Sequence, residues 1–272
     1  GNPKGVMLSH DNFTWTAKQC CAYAKLGYGQ DVLISYLPLS HVAAQLLDIH
    51  LPIRCGGTVH FAQPDALKGS LGVTLKEVRP TAFLGVPRVW EKMQEKMKEI
   101  GKSAPSFKRR IAGWAKGVGY RGSLSKMNSG SLPWGWSLAN AMVFKKVRVG
   151  LGLDRCKYTF TGAAPISRET LDFFYSLDIP LLALYGLSEC TGPHTLSMPH
   201  CYQINSVGKE LPGASSRLHQ PDAEGNGELC MSGRHVFMGY INMQEKTTEE
   251  VDSEGWLHTG DVARKDANGF LY

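Results

Sequence analysis

The stretch 157–189 constrains the fold more than any other. Lys157-Tyr-Thr-Phe-Thr161 reads as a strand and Gly162-Ala-Ala-Pro165 as a tight loop. Ser167 can cap a helix that carries Leu171, Phe174 and Leu177. Residues 179–184 form a second apolar run, followed by Tyr185-Gly-Leu-Ser-Glu189. Strand, loop, helix and strand in this order join two parallel strands through a right-handed crossover. Both loops then leave the carboxyl edge of one sheet, where open α/β sheets bind their ligands. Gly162–Pro165 and Tyr185–Glu189 are therefore expected side by side, facing one ligand.

The rest of the chain repeats this alternation. Runs at 32–37, 58–61 and 81–84 read as short buried strands, and 40–53 and 66–78 as helical segments, the latter weakened by Gly69 and Gly72. Trp90, Met93, Met97 and Ile100 recur at helical spacing among charged residues, which predicts a helix with a core-facing stripe. Residues 101–135 carry less pattern. They predict a helix over 106–118 and a mobile loop over 122–135, followed by a helix over 136–149. Beyond about residue 200 the style changes to short segments joined by turns such as Asp252-Ser-Glu-Gly255 and Asp266-Ala-Asn-Gly269. Only 243–251 remains helical there. The expected fold is α/β, with mostly parallel sheets and helices on both faces over 1–200. A small β-rich module, a distorted barrel, follows over 201–272.

Composition narrows the function classes. An apolar share of 43% and a charged share of 20% are those of an ordinary globular protein. The most apolar stretch, 32–53, is interrupted by Ser40, His41, Gln45, Asp48 and His50, so no apolar run reaches bilayer length. Seven cysteines without a CxxC pair suggest scattered reduced thiols, and that spacing argues against zinc. Part of the net charge of +6 lies in Lys108-Arg109-Arg110 and Lys145-Lys146-Val147-Arg148. Such runs are ordinary solvated helix faces. Attraction to an anionic membrane or a polyphosphate is the functional alternative. No nucleic-acid-binding module is recognisable.

Three short segments carry chemistry. Gly1-Asn2-Pro3-Lys4-Gly5 lets backbone approach a phosphate while Lys4 adds a positive charge, and Ser9 can cap the helix that follows. Alone, the segment fits an ordinary turn equally well. In Tyr185-Gly186-Leu187-Ser188-Glu189-Cys190, the tyrosine offers a face to a base and Ser188 a hydroxyl to a phosphate. Glu189 offers a hard oxygen to Mg²⁺. Trp256-Leu-His-Thr-Gly-Asp261 places a carboxylate where it could accept two hydrogen bonds from a ribose diol, although an Asp in a turn reads the same way. His41 could line a ligand pocket or be a satisfied core group. Cys20-Cys21 reads as structural, and Arg168 and Glu169 as paired with each other or with solvent.

Taken in order, these segments resemble the adenylate-forming superfamily of acyl-CoA synthetases, luciferases and peptide-synthetase adenylation domains. GVMLSHDN, SYLPLSHVAAQ, FAQPDALKGSL, FLGVPRVWEKM, LDIPLLALYGLSECTGPHT and GRHVFMGYINM are similar to the bubblegum-type long-chain acyl-CoA synthetases over essentially the whole chain. The resemblance implies ATP binding by Gly1, Asn2, Pro3 and Lys4, the last part of a phosphate loop. It places Gly162, Ala163 and Ala164 along the adenine. Tyr185, Gly186, Leu187, Ser188, Glu189 and Cys190 match the ATP-binding stretch, with Tyr185 on the adenine and Glu189 on Mg²⁺. Asp261 matches the ribose-binding Asp. Ser188 stands where the family usually has Thr, and the hydroxyl is retained.

The implied reaction has two steps. A long-chain fatty carboxylate attacks the α-phosphate of Mg·ATP to give an acyl-adenylate and pyrophosphate, and CoA then displaces AMP. Lys4 and Glu189 are the expected catalytic residues, and an acyl tunnel is expected near His41 and residues 83–90. The resemblance further implies that the phosphate loop is cut at its start. It also implies that the small carboxy-terminal domain, with its promoting Lys, lies past Tyr272. The expected location is cytoplasmic, with peripheral attachment to the endoplasmic reticulum or another intracellular membrane as an alternative. A related adenylating enzyme with another acceptor and a non-catalytic nucleotide-binding fragment stay open. A P-loop kinase is disfavoured, because Lys4 is followed by Gly5 rather than Ser or Thr.

Overall fold

The computed structural model describes residues 3–128 and 130–272. Strand β1 (Val6–Met7) leads into helix α1 (His10–Tyr23). Ser9 caps this helix reciprocally: its hydroxyl accepts from Asn12 N–H at 3.0 Å, and Asn12 Oδ1 accepts from Ser9 N–H at 2.7 Å. β2 (Val32–Ser35) follows, then α2 (Val42–Gln45), a π-helical turn at Leu46–His50, α3 (Leu51–Cys55) and β3 (Thr58–Phe61). The helical pattern at 66–78 breaks at Gly69, whose φ of 152° suits glycine alone, and resumes as α4 (Leu71–Val78). β4 (Ala82–Gly85) leads into α5 (Pro87–Lys102), started by Pro87 in its first turn. Within its apolar stripe Trp90 is fully buried, whereas Ile100 is exposed, so the core-facing stripe ends before the helix does.

The first part of the expected mobile loop, 122–127, is instead helix, while 130–135 is non-helical. α6 runs Ser106–Met127 without interruption through Gly117, Gly119 and Gly122. The glycines serve contact. A Cβ on Gly119 would lie 2.2 Å from the Ser176 carbonyl oxygen, and one on Gly122 would lie 3.0 Å from the Trp136 ring. Close approach of neighbouring segments here outweighs poor helix propensity. α7 (Trp136–Ala139), a π turn at Asn140–Phe144 and α8 (Lys145–Leu151) complete this helical lobe, with Ala115, Val118, Ala139 and Phe144 as its own small core.

β5 (Tyr158–Thr161), α9 (Arg168–Tyr175) and β6 (Leu181–Leu187) form the expected crossover unit. β5 and β6 are parallel, with Thr159 opposite Leu181 and Thr161 opposite Ala183. Ser167 caps α9 through Thr170 N–H at 3.1 Å. Arg168 pairs with Asp172 and Glu169 with Lys98, rather than with each other. β7 (Gly192–Leu196) and β8 (Lys209–Glu210) extend the sheet antiparallel, so the five-stranded order β4-β5-β6-β7-β8 is mixed. Trp90 locks this sheet to its helices. Its ring meets Phe83 and Phe174 edge-on, and its Nε1–H donates to the Phe160 carbonyl at 3.1 Å.

The β-rich part contains β9 (Ser215–His219), β10 (Asn226–Ser232), β11 (Gly239–Tyr240), α10 (Gln244–Glu250) and β12 (Leu257–Arg264). Among the described residues it is an open antiparallel sheet ordered β12-β10-β9, not the expected barrel. β11 is drawn away to pair with β1, with Val6 opposite Tyr240 and Met7 opposite Gly239. The expected turn at Asp266–Gly269 brings Tyr272 back onto Arg264 through two backbone hydrogen bonds. A second core of Leu229, Met231, Phe237, Tyr240 and Leu257 sits under this sheet and includes Cys190 from the turn after β6.

Candidate active site

The parallel pairing of β5 and β6 brings both loops of the crossover unit to one cavity of about 620 Å³. Ala163, Ala164, Tyr185, Gly186, Leu187 and Asp261 all line it. Ala163 holds a positive φ of 68°, which turns the loop sharply away from the strand. Gly186 has no room for a side chain, since a Cβ there would lie 1.7 Å from the Gly192 carbonyl oxygen. The bulge between Tyr185 and Gly186 in the β6–β7 pairing lies at this same point. Gly162 is equally confined, with Leu184 Cδ1 2.5 Å from the position of a Cβ.

Tyr185 donates its hydroxyl proton to Asp261 Oδ2 at 2.5 Å. Burial and the adjacent Asp261 carboxylate both push the phenol above its usual range, so it remains a donor at any physiological pH. Asp261 is itself exposed. Its position is set by Thr259, whose hydroxyl donates to the Leu229 carbonyl at 2.7 Å and accepts from Asp261 N–H at 3.1 Å. The two groups matched to base and ribose thus face one hollow from different sheets.

Ser188 is exposed at the start of the turn Ser188–Cys190, and Glu189 is half-buried behind it. Cys190 turns inward. Its sulfur accepts from Leu187 N–H at 3.1 Å, and burial pushes its thiol up to about 12. It therefore closes the turn rather than reaching the cavity.

Lys4 and Glu189 meet through two residues that sequence reasoning gave no role. Tyr240 places its hydroxyl 2.7 Å from Glu189 Oε1 and against a Glu250 oxygen, and donates its one proton to one of them at a time. Lys4 Nζ donates to the same hydroxyl at 2.9 Å and to Glu250 Oε1 at 2.8 Å, and lies over the Tyr240 ring. Burial pushes the Tyr240 phenol up, and both carboxylates add to the shift. Burial alone would raise the Glu250 carboxyl, but Lys4 and Tyr240 together hold it below its usual range. Tyr240 comes from β11 and Glu250 from α10, so pairing of β1 with β11 is what carries Lys4 to Glu189. Gly1 and Asn2 lie outside the described residues. The readable signal for Tyr240 was its place in GRHVFMGYINM, one of the segments that carry the resemblance.

His41 is an exposed helix cap, its Nδ1 accepting from Ala43 N–H at 3.1 Å. It stands on the wall of a second, largely apolar cavity of about 210 Å³ lined by Leu46, Leu84, Phe160 and Leu184 among others. This cavity shares Ala163, Gly186 and Leu187 with the first one. Of the segment 83–90, Leu84 reaches its wall, while Phe83 and Trp90 pack in the core.

A single carboxylate, Glu189, beside a surface that can receive phosphates fits Mg²⁺, which takes one or two protein carboxylates and keeps several waters. Tyr240 occupies one of that carboxylate's oxygens and holds its direction.

The long-chain-fatty-acid–CoA ligase ACSBG2 of Xenopus laevis is 58% identical over all of this chain, which covers 37% of that protein. Human long-chain-fatty-acid–CoA ligase ACSBG1 is 50% identical over all of the chain, which covers 38% of it. The chain therefore spans about two fifths of the length of the curated relatives it matches. O-succinylbenzoate coenzyme A synthetase from Bacillus subtilis, solved with AMP, superposes with a TM-score of 0.71 over all of this chain and 46% of its own, at 19% identity. ATP-bound MatB from Rhodopseudomonas palustris superposes at 0.70 over all of this chain and 45% of its own, at 23% identity. At these identities the superpositions speak to the fold, which they share. The profile of the AMP-binding enzymes matches residues 1–241, and with the mixed sheet and its two-loop cavity this establishes that the chain belongs to the AMP-binding enzyme family.

Proposed function

We propose that the protein carrying this chain activates long-chain fatty acids with ATP, forming an acyl-adenylate and then acyl-CoA with release of pyrophosphate and AMP. The observation that carries the reading is the meeting of the two cavities. The hollow with Tyr185 and Asp261 and the apolar one adjoin, sharing Ala163, Gly186 and Leu187 in their walls. A nucleotide in the first and an acyl chain in the second would bring a carboxylate beside the α-phosphate, which is the geometry an in-line attack needs.

In this reading Ala163, Ala164 and Tyr185 hold the adenine, and Asp261 the ribose. Lys4 and Ser188 face the phosphates, with Gly1, Asn2 and Pro3 completing their loop. Glu189 would hold Mg²⁺, which when bound neutralises polyphosphate charge. Lys4 now serves Glu250 and would exchange that carboxylate for phosphate oxygens. His41 lies at the mouth of the acyl cavity. Residues 1–200 supply the nucleotide and acyl surfaces, and 201–272 contribute Asp261 and the Tyr240–Glu250 support. CoA is the acceptor in the second step. A cytoplasmic location with peripheral contact to an intracellular membrane fits a water-insoluble substrate. No helix among the described residues is long and apolar enough to cross a bilayer.

Full-length protein supplied with Mg·ATP, palmitate and CoA should yield palmitoyl-CoA, AMP and pyrophosphate. Without CoA, palmitate-dependent exchange of pyrophosphate into ATP should persist. Exchange driven by an amino acid and not by palmitate would overturn the reading. A second reading, nucleotide binding without turnover by the 272-residue chain alone, is favoured by the pairing of Lys4 with Glu250. ATP binding by the chain that is unchanged in both Lys4→Ala and Glu189→Ala would show that neither group contributes to it.

A further inference from the structure

We infer a binding site for a thiophilic divalent cation such as Zn²⁺ between β10 and β12, formed by Glu228, Cys230 and His258. Cys230 and His258 are directly opposed in the antiparallel register, and Glu228, two positions earlier on β10, shares that face by strand alternation, since β10 runs in unbroken register against β9 from Glu228 to Ser232. One donor atom from each residue lies within 4.8 Å of the other two. Cys230 Sγ is 3.5 Å from His258 Nδ1, and Glu228 Oε2 is 2.9 Å from the same nitrogen. Tetrahedral coordination at ordinary zinc bond lengths asks for separations of about 3.5 Å and about 3.3 Å, so a cation could enter with shifts of a few tenths of an ångström.

The surroundings suit such a cation. On the far side of the imidazole, Asp252 Oδ2 stands 3.5 Å from Nε2. It would take that N–H once Nδ1 gives its lone pair to the metal, a carboxylate–histidine–metal arrangement. Glu228 is held from behind, its Oε1 accepting from Gly260 N–H at 3.0 Å. Arg217, opposite Cys230 on β9, keeps its Nε–H buried without an acceptor among the described residues. A thiolate at Cys230 would supply that acceptor. The guanidinium charge is balanced by Asp252 and Glu254, so it does not oppose a cation unaided. Cys230 is fully buried. Binding displaces the thiol proton to solvent and moves the imidazole proton from Nδ1 to Nε2, leaving one thiolate, one carboxylate and one neutral imidazole on the metal. The fourth position would hold water. Neither CxxC spacing nor a local motif announces this site, because its donors come from two strands paired across a bulge.

Anaerobic titration of the reduced, metal-free 272-residue chain with Co²⁺ is the direct test. One equivalent should bind with a thiolate-to-cobalt charge-transfer band in the near ultraviolet. The band should vanish in Cys230→Ser, although the other six cysteines remain. Glu228→Gln and Asp252→Asn should keep the band and weaken uptake by roughly tenfold or more. Independently of any variant, Zn²⁺ should raise the thermal midpoint of the wild-type chain. No saturable Co²⁺ band in the wild type, a band that survives Cys230→Ser, or a midpoint indifferent to Zn²⁺ would each overturn the inference.

Discussion

Replacing Tyr240 with phenylalanine tests how Lys4, Glu189 and Glu250 are held together. The side chain is buried, and its hydroxyl is the common point of Lys4, Glu189 and Glu250. Phenylalanine keeps the ring, its edge contact with Phe237 and the cation above it. What disappears is the proton shared by two carboxylates, so Glu189 and Glu250 then face each other with only Lys4 between their charges. Hydrogen bonds to charged groups are worth about 1.5–3 kcal/mol net, and the loss should fall in that range. For a chain of this size that is a fall in thermal midpoint of roughly 3–12 °C. The measurement is thermal unfolding followed by circular dichroism, without nucleotide. Adding Glu250→Gln should recover part of the loss, because one anion is gone while the exposed Lys4–Glu250 pair it sacrifices is worth about 1 kcal/mol or less. A midpoint in Tyr240→Phe within about 1 °C of the wild type, or a double variant whose losses simply add, would refute the reasoning.

Gly186→Ala should destabilise by about 1–3 kcal/mol or more and abolish nucleotide binding, because the new methyl meets the Gly192 carbonyl and forces β6 and β7 apart; calorimetry with ATP reads both effects. Trp90→Ala should cost about 3–5 kcal/mol in denaturant unfolding, since it empties a fully buried site and removes the indole donor from the Phe160 carbonyl. Asp48, on the π turn after α2, is pushed by burial up to about 6 despite a hydrogen bond from Ser35. The folded carboxyl then holds its proton where the unfolded one has lost it, so its contribution to stability falls as pH rises from about 4 to 6. Asp48→Asn should accordingly raise the midpoint relative to wild type at pH 7.5 and leave it little changed at pH 4. His194 and His235, stacked and hydrogen-bonded in the interior, are held by burial at about 3 and about 4. Their unfolded forms gain protons below about 6.5, so stability should drain away as pH falls from there towards 4, and His235→Asn should flatten that acid limb.

Much of the α/β part was legible because its signals are local. The strand at 58–61, the Ser9 and Ser167 caps and the parallel β5–β6 pair each follow from a few adjacent residues. Tyr185 and Asp261 could be named, but their hydrogen bond spans two sheets and no spacing encodes it. The continuous helix through Gly117, Gly119 and Gly122 was hidden because propensity argues against it, while the close approach of Ser176 and Trp136 that favours it is tertiary. Tyr240 and Glu250 were missed for a like reason, since their role exists only once β1 meets β11. The Glu228–Cys230–His258 cluster depends on the register of β10 against β12, and a one-residue change of that register would disperse it.

The β1–β11 pairing has a consequence for how the protein is made. It joins Val6 to Tyr240, and the Lys4–Glu250 contact beside it spans 246 positions. Closing a loop of that size costs on the order of 5 kcal/mol of chain entropy beyond a constant, and two residue pairs return little of it. On a ribosome, Lys4 emerges well before Glu250 and waits while the sequence between them is translated and folds. The crossover unit, built from neighbours in sequence, can form long before that. Lys4 is thus placed by one of the last contacts to form, and a folding intermediate already holding the Tyr185 hollow would still lack the Lys4–Tyr240–Glu189 contact.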